Sequence, residues 1–168
     1  MTDEERTSRR AKPRKTSIKP ALGLDDLLGY NLRRAHGVQR QRFNSVFAPY
    51  RIRPVQLSIL GLMYENPKLK QAELGRALDI KRANVVTLLR ELENRNLITR
   101  RRTRADRRSH VLQLTPAGRK LTHELLDLHG RLEADLGERL GARDREQLLR
   151  LLKKFRRLQQ APYLEYEE

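Results

Sequence analysis

From Leu24 onward the chain follows a helical period. Leu24, Leu28, Leu32, Ala35, Val38, Phe43 and Phe47 recur at three- to five-residue steps with charges between them, which predicts a long first helix. Gly37 weakens that helix by about 1 kcal/mol relative to Ala and marks an expected kink or close packing contact. Tyr50 to Arg53 reads as a connector. Pro54 suits the first turn of a second helix, where its missing N–H has no intrahelical partner. Leu57, Leu60, Gly61 and Tyr64 form the inner stripe of that helix, and Asn66 with Pro67 stops it. A short third helix is expected from Gln71 to Leu78, with Ala72, Leu74, Ala77 and Leu78 inward. Asp79 and Ile80 make a tight break before a fourth helix, Lys81 to Asn94. Its core face is Val85, Leu88, Leu89 and Leu92, and its outer face is Lys81, Arg82, Asn84, Thr87 and Arg90. Glu91 and Arg95 are spaced for supporting i,i+4 attraction.

The period then changes. Leu97 to Thr99 and Val111 to Leu114 have strand character and are separated by an arginine-laden segment, which predicts a β-hairpin from Leu97 to Leu114 with Arg104 to Arg107 near its tip. Thr115 as N-cap and Pro116 at N1 open another helix. Leu121, Leu125, Leu128, Leu132, Leu136 and Leu140 line one of its faces. Gly141 ends it, Asp144 is the expected cap of a last helix, and Leu148, Leu151, Leu152, Phe155 and Leu158 make the stripe of that helix. The pattern is mainly α, with no internal repeat. It divides into a basic flexible arm (1–22), a winged-helix domain (51–115), a helical dimerisation region (23–50 with 116–160) and an acidic tail (161–168). The arm carries Pro13, Pro20 and the cations Arg9, Arg10, Lys12, Arg14 and Lys15 with almost no apolar residue, so it cannot offset its ordering entropy. It reads as a solvated tail, with contact to DNA as the other reading.

Composition sharpens the picture through charge. Lys plus Arg is 37 against 21 Asp plus Glu, a net +16 over 168 residues. Such a surface attracts polyanions and gains free energy by releasing their condensed counterions. Hydrophobic residues make up 38%, with only three Phe, five Tyr and no Trp, as in Leu-rich chains that pack helix on helix. The absence of cysteine excludes disulfides, thiolate metal sites and thiol redox sensing. No apolar run approaches the ~18 residues of a membrane span, and no signal-peptide core follows the basic N-terminus, so a cytoplasmic protein without membrane partners is expected.

Two short helices joined by a tight break and followed by an arginine-rich hairpin make the layout of a winged helix-turn-helix. A helix in the major groove of B-DNA offers its N-terminal side chains to base edges. Lys81 or Arg82 can address guanine, Asn84 adenine and Thr87 a thymine methyl, with Arg90 farther along. Alone, this is equally an ordinary amphipathic helix with a polar outer face. The hairpin tips the balance. Arg100, Arg101, Arg102, Arg104, Arg107 and Arg108 fall within nine residues, opposed only by Asp106. That like-charge density repels itself unless a polyanion lies alongside. Arginines near a hairpin tip suit a narrow minor groove, with Asp106 holding one of them in position. The expected DNA-binding set is Lys81, Arg82, Asn84, Thr87, Arg90, Arg104, Asp106, Arg107 and Arg108.

The stretch from Asp106 to Leu121, DRRSHVLQLTPAGRKL, resembles the wing and following helix of MarR-type regulators, whose Asp-x-Arg and later Leu-Thr-x-x-Gly appear here as Asp106, Arg108, Leu114, Thr115 and Gly118. Arg53 to Met63 and Gln71 to Arg100 are similar to the same family, and the resemblance covers Leu24 to Leu158. Arg53 and Gln71 depart from it, standing where the family has Thr or Ser caps. The resemblance implies a homodimer in which the first helix and the last two interleave, placing two recognition helices on successive major-groove faces of a pseudo-palindromic operator, about 10 bp apart. It also implies a repressor released by a small aromatic effector, a hydroxycinnamate or other aromatic acid or its coenzyme A thioester. The segment from Leu27 to His36 looks most like members that answer to such ligands. Tyr30, Arg33, Arg34, His36, Arg40, Phe43, Phe47 and Tyr64 are the candidate effector-binding residues. The competing assignment places Phe43 and Phe47 in the core and the arginines on a solvated face.

No cofactor or metal is expected. His36, His110, His123 and His129 lack ligand spacing, and the pair His129 and Glu133 has no further ligands nearby. No nucleophile–base pair, phosphate-cradling glycine loop or paired-carboxylate motif argues for an enzyme. The alternative function is a nucleoid- or RNA-binding structural protein that uses charge without sequence choice. An amphipathic membrane-surface protein ranks last, because the basic charge concentrates in the hairpin and the N-terminal tail.

Overall fold

The computed structural model describes residues 23–102 and 110–158. It contains α1 (Leu28–Phe47), α2 (Pro54–Glu65), α3 (Gln71–Ala77), α4 (Arg82–Asn94), β1 (Ile98–Arg102), β2 (His110–Leu114), α5 (Pro116–Leu140) and α6 (Ala142–Arg157), with short 3-10 turns at Leu24–Asp26 and Ala48–Tyr50. The fold is mainly α with a winged helix-turn-helix, as the periodicity predicts. The chain divides into two units, Met1–Arg40 and Gln41–Glu168.

In the first unit α1 begins one turn later than its apolar pattern suggests. Gly23 is left-handed (φ 55°), a 3-10 turn follows, and Leu27 is extended before the helix starts. The side-chain amide of Asn31 donates to the carbonyls of Asp25 (2.6 Å) and Leu27 (2.9 Å), the second of which also accepts the Asn31 backbone N–H (3.1 Å). Gly37 interrupts nothing: the helix runs through it, and a methyl group there would meet no atom within 4 Å.

The second unit holds the core. Phe43, Phe47, Ile52, Leu57, Ile59, Leu60, Met63, Leu74, Val85, Leu88, Leu89, Leu92, Leu97, Ile98, Leu112 and Leu125 form one buried cluster. In α4 the buried set is Val85, Leu88, Leu89 and Leu92, as its spacing dictates. In α2 the burial extends beyond the expected stripe to Gln56, Ile59 and Met63, because that helix is apolar on nearly all sides and period alone cannot choose its inner face. In α3, Leu74 is buried, whereas Ala72 and Ala77 are exposed. A seven-residue helix has room for one anchoring side chain, and its small residues face out.

Several local expectations change at the helix ends. The N-cap of α3 is Lys70, not Gln71. Neither Arg53 nor Lys70 has a side-chain acceptor, so each cap works in reverse: the N3 side chain accepts from the cap N–H, Gln56 from Arg53 at 3.0 Å and Glu73 from Lys70 at 2.8 Å. Asp144 lies inside the first turn of α6. Gly141 is at once the end of α5 and the N-cap of α6, so no position remains for a side-chain cap. Glu91 and Arg95 do not pair. Glu91 meets Arg53 and accepts from Gln56 of α2 (2.8 Å), while Arg95, past the last turn, donates to the carbonyls of Tyr50 and Arg51, each at 2.8 Å. Glu91 thereby ties α4 to the start of α2, and Arg95 ties it to the turn before α2.

The wing is an antiparallel pair with Ile98 opposite Leu114 and Arg102 opposite His110. A third segment joins it, unforeseen from the pattern: Lys70 bridges to Val111, and the Leu112 N–H donates to the Leu69 carbonyl at 3.0 Å. The base of the wing is welded to α5. Thr115 accepts from the Gly118 N–H (2.9 Å), its hydroxyl donates to the Asn96 carbonyl (2.7 Å), and its own N–H donates to the Leu97 carbonyl (3.0 Å). Gly118 sits so close to this strand that a Cβ would lie 1.8 Å from the Leu97 oxygen.

Farther along α5, Asp135 pairs with Arg42 of α1 and with Arg139 one turn on. Hydrogen bonds from Arg42 first and then Arg139 hold its carboxyl below the usual carboxylate range. The sign of the pH effect follows. A depressed carboxylate adds stability that is complete above its unfolded pKa of about 3.9 and is lost as pH falls through the folded value. In urea titrations Asp135→Asn is therefore expected to unfold at lower denaturant than wild type at neutral pH, with the gap closing below about pH 4. A gap that stays constant into acid sinks the assignment. For Gly118→Ala, the usual gain of about 1 kcal/mol from replacing a helical glycine is outweighed by the clash with rigid backbone. A net loss of about 1–3 kcal/mol is expected, and an unfolding midpoint equal to or above wild type would refute the close approach.

Candidate nucleic-acid interface

The helix-turn-helix is built by a left-handed residue. Asp79 has φ 52°, and the Ile80 N–H reaches back to the Gly75 carbonyl at 2.9 Å, closing α3 in a Schellman-type turn. Lys81 then starts α4. Because four residues of this helix are fixed in the core, the opposite face is held rigidly outward. Lys81, Arg82, Asn84, Thr87 and Arg90 are all exposed there, so the structure brings together all five of the expected helix residues. Among the described residues no side chain caps α4, which leaves its first N–H groups and the positive end of its dipole beside Lys81 and Arg82. Its acids, Glu91 and Glu93, lie in the last turns. The N-terminal end of α4 therefore carries cations, an amide and a hydroxyl with no anion between them.

Arg104, Asp106, Arg107 and Arg108 lie outside the described residues. For Arg100 the arginine-cluster expectation needs correction. Its guanidinium pairs with Glu93 of α4, and only 21% of its side chain is exposed. The reason is strand parity: Arg100 shares the core-facing side of β1 with buried Ile98, so it needs an internal partner. The hydrogen bond that Arg100 donates to Glu93 is the main cause that raises the Arg100 pKa further. Glu93, the partner of Arg100, is the residue of this lobe that sequence reasoning missed. The sequence signals excess positive charge in the hairpin, but not which acid a strand arginine meets across a turn.

The candidate effector residues are divided between the two units. On α1, the guanidinium groups of Arg33 and Arg34 lie 5.2 and 6.0 Å from the centre of the Tyr30 ring, while His36 and Arg40 are exposed. Phe43 and Phe47 stack at 4.2 Å inside the core, 3% and 0% exposed, which is the place the competing assignment gave them. Tyr64 of α2 stacks with His123 at 6.3 Å and carries Arg119 over its ring at 5.0 Å, so the protein's own groups occupy it. His129 and Glu133 approach to 3.9 Å, and among the described residues no three metal-ligating side chains converge. No helix among them is long and apolar enough to cross a membrane.

Comparison with known proteins agrees with this geometry. The MarR family profile matches residues 52–109. A Thauera aromatica protein assigned as a transcriptional regulator for the hcr operon is 30% identical over 131 residues, 77% of this chain and 79% of that protein. The transcriptional repressor CouR, solved on a 23-mer DNA duplex, is 38% identical with a TM-score of 0.77, covering 82% of this chain and 99% of its own. CouR bound to p-coumaroyl-CoA is 35% identical with a TM-score of 0.76, covering 83% and 99%. A wing welded to its following helix through Thr115 and Gly118, a second helix of the helix-turn-helix with no acid in its first half, and these likenesses give one result: the chain belongs to the MarR family of transcriptional regulators.

Proposed function

We propose that this chain is a homodimeric repressor that binds a pseudo-palindromic duplex and is released by a small aromatic ligand, a phenolic or aromatic acid or its coenzyme A thioester. The observation that carries the DNA reading is the exposed row Lys81, Arg82, Asn84, Thr87 and Arg90 on a helix anchored by its buried opposite face. Arg82 and Asn84 are the base readers, because the first turn of α4 projects farthest toward a groove. Arg104, Arg107 and Arg108 of the wing sequence supply the second contact, to the minor groove and its phosphates, with Asp106 orienting one of them.

Dimerisation follows from what α6 leaves uncovered. It buries no residue, and Leu148, Leu149, Leu151, Phe155 and Leu158 are each at least 40% exposed. A patch of that kind calls for a partner, and a second copy supplies the two-fold axis that a palindrome requires. The effector class rests on similarity to CouR, which was solved with p-coumaroyl-CoA, and on the cationic, aromatic surface of α1 at Tyr30, Arg33 and Arg34. Release requires that the ligand favour one of two arrangements of the dimer, since equal affinity for both shifts nothing.

The test uses a duplex selected by the purified protein from a random-sequence library. The selected site is expected to be an inverted repeat bound in the nanomolar range at moderate salt, with random duplex in excess unable to displace it. Arg82→Ala and Asn84→Ala are each expected to cost about 1–3 kcal/mol and to relax preference at particular base pairs, whereas Arg108→Ala weakens all sequences and lowers the salt slope by about one. Displacement by random duplex would favour a nucleoid-type protein that uses charge alone. Light scattering should give a dimer that Leu151→Glu with Phe155→Glu converts to monomer. p-Coumaroyl-CoA is expected to release the duplex more effectively than free p-coumarate if the thioester is the effector. No release by either defeats the ligand reading.

A further inference from the structure

The pair Glu93 and Arg100 stands out because it wastes affinity on its face. Glu93 places a negative charge in the lobe that meets a polyanion, and it removes one arginine from the set available to phosphate. Both side chains are largely covered, 26% and 21% exposed, unlike the free cations of the reading face. They also straddle the one turn that joins the recognition helix to the wing. That turn consists of Arg95, left-handed Asn96 (φ 55°) and Leu97, whose N–H returns to the Leu92 carbonyl at 3.0 Å. Glu93 lies before it and Arg100 three residues after it.

We propose that Glu93 is a positioning residue for DNA recognition: holding Arg100 across this turn, it fixes the direction in which the wing leaves α4. The inference rests on the reading of α4 and the wing as the DNA-contacting surface. The lever makes the constraint matter. β1 has five residues, so it extends about 17 Å from the turn, and a pivot of about 10° at its base moves its far end by about 3 Å. A displacement of that size breaks any hydrogen bond to a phosphate or base edge. With α4 seated in the major groove, the wing reaches the adjacent groove only if this angle is held. The Thr115 weld fixes the strand base to α5 through residues 96, 97, 118 and 119, all before β1 or beyond β2, and the Leu69–Lys70 segment holds β2 and not β1. Among the described residues, Glu93 is the side chain of α4 that hydrogen-bonds to β1, beside the apolar packing of the shared core.

Binding to the selected duplex and to random duplex of equal length, across a range of salt, tests this with Glu93→Gln, Arg100→Met, the double variant and the charge swap Glu93→Arg with Arg100→Glu. Each single change is expected to weaken the selected duplex on the order of tenfold. Glu93→Gln should leave random-duplex affinity equal or higher. The double variant should be no weaker than either single, and the swap, which keeps net charge, should recover most of the loss. Unfolding midpoints and active fractions for each variant separate lost folding from lost aim, and the swap decides the matter if a single variant folds poorly. Arg100→Met lowering the salt slope by about one, with Glu93→Gln neutral or tighter on the selected duplex, overturns the proposal in favour of a direct phosphate contact. Additive losses in the double variant, or no recovery in the swap, also overturn it. A wild-type protein that prefers no duplex over random would instead defeat the DNA-recognition reading, and this inference with it.

Discussion

The structure depends on one contact of backbone against backbone, the approach of Gly118 to the Leu97 carbonyl. Only a residue without a Cβ permits it, because the first side-chain carbon would fall 1.8 Å from that oxygen. Around it Thr115 acts in both directions, accepting from the first turn of α5 and donating to the carbonyl of Asn96 at the exit of α4. Three consecutive elements thus share a single point: the end of α4, the base of the wing and the start of the long α5. At this point α5 meets the wing and the exit of α4 through main chain and the short Thr115 side chain, with no long side chain between them.

That junction also explains why a short motif is informative. Leu114, Thr115 and Gly118 are a strand end, a helix cap and a close approach, three geometric demands made within five positions. Few sequences meet all three by accident. The helix-turn-helix was legible for a related reason: the buried face of α4 follows a clean 3.6-residue period, and Asp79 supplies a residue type that tolerates the left-handed turn. The inner face of α2 was not legible, because Ile59, Leu60 and Met63 are apolar on several sides and only packing chooses among them. The Leu69 and Lys70 segment escaped notice because two residues are too few to show an alternation. Long-range pairs escaped for a deeper reason. Local spacing offered Glu91 to Arg95, but the fold delivered Glu91 to Arg53 and Gln56, and Glu93 to Arg100, partners set by tertiary proximity.

Those pairings resolve an apparent contradiction in α4. Two acids in the last turns of a helix lie next to the negative end of its dipole, an arrangement that costs stability in isolation. Here each is offset by an arginine from another element, Arg53 from the entry of α2 and Arg100 from β1, while Arg95 turns away to hold the carbonyls of Tyr50 and Arg51. The acids serve as internal ties, and the unfavourable dipole interaction becomes a cross-link between the reading helix and its neighbours.

The same division of labour orders the charge of the whole lobe. A chain at net +16 needs few internal ion pairs for solubility, and scattered acids near the DNA face would lower affinity for a polyanion. In α4 the acids are confined to the end where they meet arginines, and the N-terminal half presents Lys81, Arg82, Asn84 and Thr87 without competition. Basic residues on the lobe therefore fall into two populations that composition cannot separate. Some, such as Arg82 and Arg90, are exposed; others, such as Arg100, are half-buried and paired internally with an acid. Counting arginines measures the sum of both, and the strand parity of Arg100 is what assigns it to the second.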